Sequence, residues 1–379
     1  MLDFSALATA TQAIHAGASA DASGGVVSPL VLSTTFERGS DGLSYPSGFV
    51  YSRTDNPNRQ SLETKLALLE NGAEAVTFAS GLAAVMALFH ALGPGSHIIL
   101  PDDAYFGAKG ILEKLYAPWG LTFSCVDMTD AAAVEAAIQT NTRLIWIETP
   151  SNPQLKITDI AAMVQIARPK GIITGCDNTW ATPYFQRPLD LDVDVSMHST
   201  TKYLGGHSDL LGGVLIFREK NALSDFVRVY QQTGGAVPSP FDCWLLSRSL
   251  ATFTARMPIH AHNAARLAEY LSTHLKIEKV LYPGLASDSN HDVAKKQMRG
   301  GFGGMLSVLV AGGQPEALAL AGKLQLFKHA TSLGGVESLI EHRRSVEGPT
   351  SSAPDNLLRI SVGIEAVEDL INDFGQALG

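Results

Sequence analysis

The chain has 379 residues, and its content of 45% hydrophobic and 17% charged residues excludes a disordered protein. The 37 acidic residues outnumber the 28 basic ones to give a net charge of −9, and no segment concentrates Lys or Arg, so nucleic acid is excluded as a partner. The three cysteines form no CxxC pair, so we predict neither a disulfide framework nor a metal site. Because there is no signal-peptide pattern and no apolar run of roughly 20 residues, we expect a cytoplasmic protein without membrane contact.

The first segment, residues 1–57, is rich in Gly, Ser, Thr and Asp and has only short apolar runs. It is poorly suited to a core of its own, so we predict an arm that packs on another part of the protein or on another subunit. From about residue 61, short apolar strands alternate with helices. Strands are predicted at 75–79, 97–100, 121–126, 144–148, 172–177, 193–197 and 214–217, and helices at 61–70, 80–92, 107–116 and 160–167. This alternation indicates an α/β fold with a mostly parallel sheet covered by helices on both faces.

The pattern changes after about residue 241. The predicted elements there are a long helical stretch at 245–271 that is interrupted at Met257-Pro258, strands at 305–310 and 358–362, and a helix at 316–323. These elements indicate a smaller α+β domain. We therefore predict a large domain at 58–240 and a C-terminal small domain at 241–379, with the boundary close to Gly234-Gly235 and the two prolines after it.

Polar residues follow several of the predicted strands, where ligands bind in open parallel sheets. Ser80 and Gly81 begin a helix after one strand and offer an anion-binding site, although Ser80 also fits an ordinary N-cap. Asp177 ends another strand, and Lys202 follows the next one after three hydroxyl residues. Pyridoxal phosphate needs a lysine for covalent attachment, a carboxylate for its pyridine nitrogen, and N–H and hydroxyl donors for its phosphate. The pattern therefore suggests a pyridoxal phosphate site.

Eight motifs strengthen this interpretation, because they resemble those of the Cys/Met-metabolism (transsulfuration) enzymes and follow the order of that family. The motifs are YSRTDNPNR (51–59), ASGLAA (79–84), DDAYFG (102–107), ETPSNP (148–153), DNTWATP (177–183), HSTTKYLGGHSD (198–209), SLGGVESLIEH (332–342) and LRISVGIE (358–365). The family includes cystathionine γ-synthase, cystathionine β- and γ-lyases and methionine γ-lyase. The resemblance implies a fold-type I, aspartate-aminotransferase-like enzyme, with 58–240 as the domain that binds pyridoxal 5'-phosphate.

The resemblance also assigns roles to single residues. Lys202 would hold the cofactor covalently and then move protons, Asp177 would face the pyridine nitrogen, and Tyr105 would stack on the ring and help to deprotonate the incoming amine. The other cofactor contacts implied are Tyr51, Arg53, Ser80, Gly81, Leu82, Thr179, Ser199 and Thr201. The family usually has Met where this chain has Leu82, a change that backbone N–H contacts tolerate.

The substrate implied is a small amino acid. Arg359 would bind its α-carboxylate in a bidentate manner, assisted by Asn152 and Ser332. Tyr51 and Arg53 match the motif through which the family reaches the phosphate in a neighbouring subunit. If they do so here, a dimer is obligatory, and the resemblance implies a tetramer made of two such dimers.

The reaction remains open among the chemistries of the family. We rank elimination or replacement at Cγ, as in cystathionine γ-synthase or γ-lyase, above a cystathionine β-lyase, which would release homocysteine, pyruvate and ammonia. Gly107 argues against a methionine γ-lyase, Trp180 is also seen in β-lyases, and residues 238–250 look most like γ-synthases. A fold-type I aminotransferase and a non-catalytic binding protein are the further alternatives.

Arg343 and Arg344 depart from the HPASMTH pattern that is frequent in the γ-enzymes. They allow two interpretations. The pair could face a substrate of the dicarboxylate type, or both side chains could be solvated, and we expect the second.

Overall fold

In the computed structural model, which describes residues 3–18, 23–348 and 351–379, two β-sheets organise the described chain. The strands of the first sheet are β1 (Glu74–Phe78), β2 (His97–Pro101), β3 (Thr122–Val126), β4 (Thr142–Glu148), β5 (Ile173–Asp177), β6 (Val195–Ser199) and β7 (Gly213–Phe217). Their order is β1-β7-β6-β5-β4-β2-β3. Strands β2 to β6 pair in parallel, and β7 is antiparallel to both β1 and β6. The prediction of a mostly parallel sheet is therefore confirmed.

Helices cover this sheet on both faces, which is why β2 and β7 are buried at all of their positions. The helices up to the end of the sheet region are α1 (Thr9–His15), α2 (Pro57–Leu69), α3 (Gly81–Ala91), α4 (Phe106–Ile111), α5 (Ala117–Trp119), α6 (Ala131–Ala136), α7 (Ile160–Ala167), α8 (Thr182–Phe185) and α9 (Ala222–Gly234). A single π-helical turn, Leu112–Tyr116, joins α4 to α5. Helix α3 packs between β6 and β7 on one side and α9 on the other, so its apolar sequence is buried and its first turn lies at the sheet's carboxyl edge.

The second sheet is mainly antiparallel. Its strands are β8 (Ile277–Leu281), β9 (Met305–Val310), β10 (Lys328–His329), β11 (Leu339–His342) and β12 (Leu357–Ser361), in the order β10-β11-β12-β9-β8. The remaining helices are α10 (Pro240–Leu250), α11 (Phe253–Ser272), α12 (His291–Gln297), α13 (Gln314–Lys323), α14 (Arg343–Glu347) and α15 (Val367–Leu378). Helices α11 and α13 pack on this sheet and α15 packs on both of these helices, around a core that includes Val308, Ile360 and Phe374.

The interruption predicted at Met257-Pro258 is wrong. Helix α11 runs through Pro258, and the chain breaks earlier, between α10 and α11, at Ala251 and Thr252. Pro258 removes one backbone hydrogen bond, but buried residues on either side of it, including Met257 and Ala261, hold the helix against the core. The break itself is stabilised by Thr252, whose Oγ1 donates to the Ser249 carbonyl and accepts from Arg256 Nε.

The described part of the N-terminal segment, 3–18 and 23–57, contributes no strand to either sheet. An isolated bridge joins Thr35 to Tyr51, and several apolar side chains are exposed, among them Val26, Val27 and Leu43. Such exposure fits an arm that packs on a neighbouring subunit. The arm and the two domain boundaries stay predictions. In the described ranges, no helix has the length and apolar character that crossing a membrane requires.

Candidate active site

A cavity of about 490 Å³ lies at the carboxyl ends of β4, β5 and β6 and is closed on its other side by residues of the second sheet region. Its volume is typical of a small-molecule site. Twelve of the fourteen residues that we assigned from the sequence line it: Ser80, Gly81, Leu82, Tyr105, Asn152, Asp177, Thr179, Ser199, Thr201, Lys202, Ser332 and Arg359. The roles of these residues stay predictions, but the fold brings them together.

One end of the cavity is formed by the start of α3. Ser80 is the N-cap, and its Oγ accepts a hydrogen bond from Ala83 N at 3.1 Å, so the N-cap interpretation of Ser80 is confirmed. A Cβ added at Gly81 would lie 3.0 Å from Ser199 Cβ and 3.1 Å from its Oγ, so a larger residue there would push Ser199 away by a few tenths of an ångström. Free helix N–H groups beside a hydroxyl form a seat for an anion such as phosphate.

Thr179 connects the ends of β5 and β6. Its Oγ1 accepts from Ser199 N at 2.9 Å, and its own N–H donates to Asp177 Oδ1 at 3.0 Å. Thr201 stabilises the next turn, because its Oγ1 accepts from Gly212 N at 3.1 Å. These hydrogen bonds hold the loops that carry the carboxylate and the lysine.

Asp177 and Glu148 are register neighbours on β5 and β4. Burial raises the pKa of Asp177, although its hydrogen bonds with Thr179 act in the opposite direction. Burial also raises the pKa of Glu148 well above its ordinary value, and the charge of Asp177 adds to this effect. A cation placed beside Asp177 would stabilise its ionised form.

Lys202 reaches into the cavity from the turn after β6. Its Nζ donates to Ser332 Oγ at 2.8 Å. Burial, together with the positive charge of Arg359, lowers the pKa of Lys202 to about 8. A larger share of the amine is therefore neutral near physiological pH, which is the form that attacks a carbonyl.

Arg359 comes from β12, where it is paired in register with Glu341 of β11. Its Nη2 donates to Glu341 Oε2 at 2.6 Å and to the Ser332 carbonyl at 2.9 Å, and its Nη1 donates to Asn152 Oδ1 at 3.1 Å. Burial lowers its pKa to about 10. Asn152 and Ser332 thus lie against this guanidinium, as the substrate assignment requires.

The expectation that both arginines after β11 are solvated is wrong for Arg343. This residue is 3% exposed and lines the cavity. Its guanidinium forms ion pairs with Glu341 at 2.6 Å and with Glu347 at 2.5 Å, and it lies over the Phe106 ring at 5.6 Å. The side chain of Arg344 is 40% exposed and pairs with Asp355 at the surface. The turn into α14 directs adjacent residues to opposite sides, and the sequence spacing does not reveal which one turns inward.

Tyr51 and Arg53 do not line the cavity of their own chain. Tyr51 is 45% exposed, and Arg53 Nη1 donates to the Gln232 carbonyl at 2.6 Å. Their predicted role at the phosphate of a neighbouring subunit stays a prediction.

The sequence reasoning missed Glu148 and Glu341, and it named Arg343 but expected it to be solvated. Glu148 ends an apolar strand in the same way as Asp177, a signal that could have been used. Glu341 gave no such signal, and the pattern at Arg343 did not decide between its two interpretations, because the positions of both residues depend on how β11, β12 and α14 pack.

The residues around the cavity fit pyridoxal phosphate. The start of α3 offers an anion seat, Lys202 carries an amine with a lowered pKa, and Asp177 is a buried carboxylate that a protonated pyridine nitrogen would stabilise. Tyr105 lies in the wall of the same cavity. This donor set is what the cofactor requires.

Comparison with known proteins agrees with this chemistry. The family described as "Cys/Met metabolism PLP-dependent enzyme" matches residues 10–379. A cystathionine gamma-synthase of Mycobacterium tuberculosis is 47% identical over 98% of this chain and 96% of its own length. A cystathionine gamma-lyase of Dictyostelium discoideum is 43% identical and a cystathionine beta-lyase of Coxiella burnetii 42% identical, each over 97% of both chains.

The solved structures give the same result for the fold. A crystal structure of metB from Corynebacterium glutamicum superposes with a TM-score of 0.96 at 40% identity and covers 100% of this chain and 99% of its own. The predicted fold-type I architecture and the predicted enzyme class, a PLP-dependent transsulfuration enzyme, are therefore confirmed. This chain belongs to the Cys/Met-metabolism family of PLP-dependent enzymes.

Proposed function

We propose that this enzyme breaks or forms a C–S bond at Cγ of cystathionine or an activated homoserine, as a cystathionine γ-synthase or γ-lyase does, with pyridoxal phosphate held by Lys202 and Asp177. The names of the relatives, cystathionine gamma-synthase and gamma-lyase, support reaction at Cγ, and one observation supports the binding of an α-amino acid. Ser332 accepts from Lys202 Nζ through its Oγ and from Arg359 Nη2 through its carbonyl, so one residue sets the amine and the guanidinium relative to each other. An α-amino acid needs this pair, one group for its reacting end and one for its carboxylate.

The chain's own residues divide the binding tasks. The start of α3, with Ser80 and Gly81, holds the phosphate, together with the hydroxyls of Ser199 and Thr201. Asp177 holds the proton on the pyridine nitrogen. When bound, the cofactor supplies an electron sink that stabilises negative charge at the substrate Cα.

Proton movement falls to Lys202. Its Nζ takes the proton from the substrate Cα, removes a second proton from Cβ before the group on Cγ leaves, and later returns protons to these carbons, and a pKa of about 8 suits both directions near neutral pH. Burial raises the pKa of Tyr105, and the charges of Arg343 and Arg359 act against that rise. Tyr105 would therefore cover the ring as a neutral phenol, and only its phenolate form, which those two cations favour, can take the proton of the incoming amine.

The substrate is bound at its other end by Arg359, which binds the α-carboxylate with two parallel N–H donors. Asn152 accepts from the same guanidinium and fixes its plane. An arginine is required at this position because the ammonium group of lysine cannot donate two parallel hydrogen bonds to one carboxylate.

Identification of the keto acid made from L,L-cystathionine tests the proposal. The purified protein is loaded with pyridoxal phosphate, and the product is identified by mass. We expect 2-oxobutyrate, which requires cleavage at Cγ, and the next assay combines an activated homoserine with cysteine.

The alternative is cleavage at Cβ, which the name of the Coxiella burnetii relative, cystathionine beta-lyase, favours. Pyruvate as the product would overturn the γ-assignment in favour of this alternative. Transfer of the amino group to a keto acid without release of a thiol would instead point to an aminotransferase.

We also propose that Tyr51 and Arg53 complete the site of a neighbouring copy in a dimer, with a tetramer built from two dimers. Their absence from the cavity of their own chain and the exposed apolar residues of the arm support this. Mixing Arg53→Ala with Lys202→Ala, each inactive alone, tests it. Hybrid dimers would restore one intact site in two, which gives about a quarter of the wild-type activity after random exchange. Recovery of no activity would contradict shared sites.

A further inference from the structure

Glu148 is a buried carboxylate at the carboxyl end of β4, and it is only 5% exposed. Its two oxygens accept hydrogen bonds from two different loops. Oε2 accepts from the backbone N–H of Tyr105 at 2.7 Å, and Oε1 accepts from the backbone N–H of Asn152 at 3.1 Å. One side chain therefore joins the loop before α4 to the loop after β4.

Both loops carry residues of the proposed site. Tyr105 is the N-cap residue of α4 and lines the cavity, and Asn152 accepts from Arg359 Nη1. Glu148 thus holds the backbone of Tyr105 at a fixed distance from the backbone of Asn152. Because Asn152 contacts Arg359, this also sets where the tyrosine lies relative to the arginine. We propose that Glu148 is a positioning residue that sets the spacing between ring-covering Tyr105 and the carboxylate-binding pair Asn152 and Arg359, a role that rests on the proposed function.

A carboxylate is the side chain that this geometry requires. Each oxygen faces one N–H donor, and only a carboxylate has two oxygens that both accept. A glutamine of the same shape would have to turn its NH2 group toward one of the two N–H groups. Burial and the neighbouring charge of Asp177 oppose ionisation of Glu148, and its two hydrogen bonds favour it. A charge in such a place is destabilising unless its hydrogen bonds compensate.

Asp103 supplies a matched control. It is also a buried carboxylate, and it links the same two loops by accepting from Ser151 Oγ at 2.5 Å. Asp103→Asn removes the charge but keeps an oxygen that can accept from this hydroxyl. Glu148→Gln removes the charge and one of the two acceptors. The pair of variants therefore separates the loss of a buried charge from the loss of the double acceptor.

The test uses holoenzyme of wild type, Glu148→Gln, Glu148→Asp and Asp103→Asn. Amide hydrogen exchange is measured over 103–108 and 149–155, and the visible absorbance of the bound cofactor is titrated with L-2-aminobutyrate. This amino acid has the amine and carboxylate but no leaving group, so the titration is independent of which bond the enzyme breaks. Activity on L,L-cystathionine is measured separately. An inactive wild type would contradict the proposed function and leave the Glu148 test intact.

For Glu148→Gln we expect faster exchange in both segments, an altered absorbance spectrum, and a fall of about tenfold to a hundredfold in apparent affinity and in kcat/KM. Glu148→Asp keeps both oxygens on a shorter side chain and should recover part of the lost affinity and kcat/KM. It also tests the proposal if Glu148→Gln does not fold. Asp103→Asn should behave as wild type in the titration. A wild-type spectrum and titration in Glu148→Gln, with only a lower unfolding temperature, would overturn the proposal.

Discussion

The end of the cavity that we assign to the cofactor is built from one sheet, whereas the end that we assign to the substrate is built from two. Asp177, Thr179, Ser199 and Lys202 follow adjacent parallel strands, and the short chain between them suffices to bring them together. At the other end, the hydrogen bond between Asn152 and Arg359 joins residues that are 207 positions apart. Local chain order determines the first arrangement, and packing of the second sheet on the first determines the other.

The charges of the two ends also differ. The cofactor end has two buried carboxylates side by side, Asp177 and Glu148, and burial raises the pKa of both, with the charge of Asp177 adding to the rise for Glu148. The substrate end has two arginines that share Glu341. The cofactor end thus fits a ligand that carries a positive charge. At the substrate end, the two arginines already form ion pairs with Glu341. Substitutions should therefore damage chemistry at the cofactor end and binding or stability at the substrate end.

The largest expected effect is at the cofactor end. Lys202→Ala should lower kcat by about a thousandfold to ten-thousandfold, because it removes the amine to which we assign the movement of the Cα proton. The visible absorbance of the lysine-bound cofactor should also be lost. Lys65 is a control of the same type, since it is a buried lysine whose pKa burial lowers to about 8, but it lies in α2 outside the cavity. Lys65→Met should keep a turnover near that of wild type. Undiminished turnover in Lys202→Ala would contradict our assignment of the chemistry to the cofactor end.

At the substrate end, Arg359→Lys should raise KM and lower kcat/KM by about a hundredfold, because the ammonium keeps the charge but loses the two-pronged geometry. Steady-state kinetics with L,L-cystathionine measure this effect. The absorbance of the bound cofactor without substrate should remain that of wild type. A changed absorbance spectrum without substrate, together with an unchanged KM, would mean that Arg359 acts at the cofactor end of the cavity and not at the substrate end.

The lowered pKa of Lys202 predicts a pH dependence. The amine is mostly protonated below its pKa of about 8, so the rate at which the apoenzyme binds pyridoxal phosphate covalently should rise with pH, reach half of its maximum near pH 8 and level off above about pH 9. An ordinary lysine, with a pKa of about 10.4, would show a rise that continues beyond pH 9. The rate of absorbance change after mixing, measured from pH 6 to 10, checks this. A continued rise to pH 10 would contradict the burial argument.

The smallest effect on chemistry, and one mainly on stability, is expected from the two adjacent arginines. Arg343→Gln leaves Glu347 buried without its cation and leaves Glu341 with Arg359 alone, and it should lower the free energy of unfolding by about 3–5 kcal/mol. Arg344→Gln removes an exposed ion pair and should change it by less than about 1 kcal/mol. Denaturant unfolding of both variants makes the comparison. Equal losses would mean that the inward side chain has been wrongly identified.

Much of this protein followed from the sequence alone. Alternating apolar strands and helices predicted the parallel sheet, since the periodicity reports burial directly. The ends of those strands predicted Asp177 and Lys202, because parallel strands deliver their carboxyl ends to one edge. The same local reasoning failed at Pro258, where tertiary packing on both sides maintains α11 in spite of a missing hydrogen bond.

Tertiary structure alone decided the remainder. The burial of Arg343, its pairing with Glu341, and the two hydrogen bonds accepted by Glu148 depend on contacts between segments that no periodicity relates. Periodicity assigns a residue to a face, but it does not say which distant backbone group or charge will lie opposite. The sequence thus determined the fold class, the family and the cofactor end of the cavity. Packing of the two sheets decided the substrate end, because a buried charge takes its role from the partners that the fold places beside it.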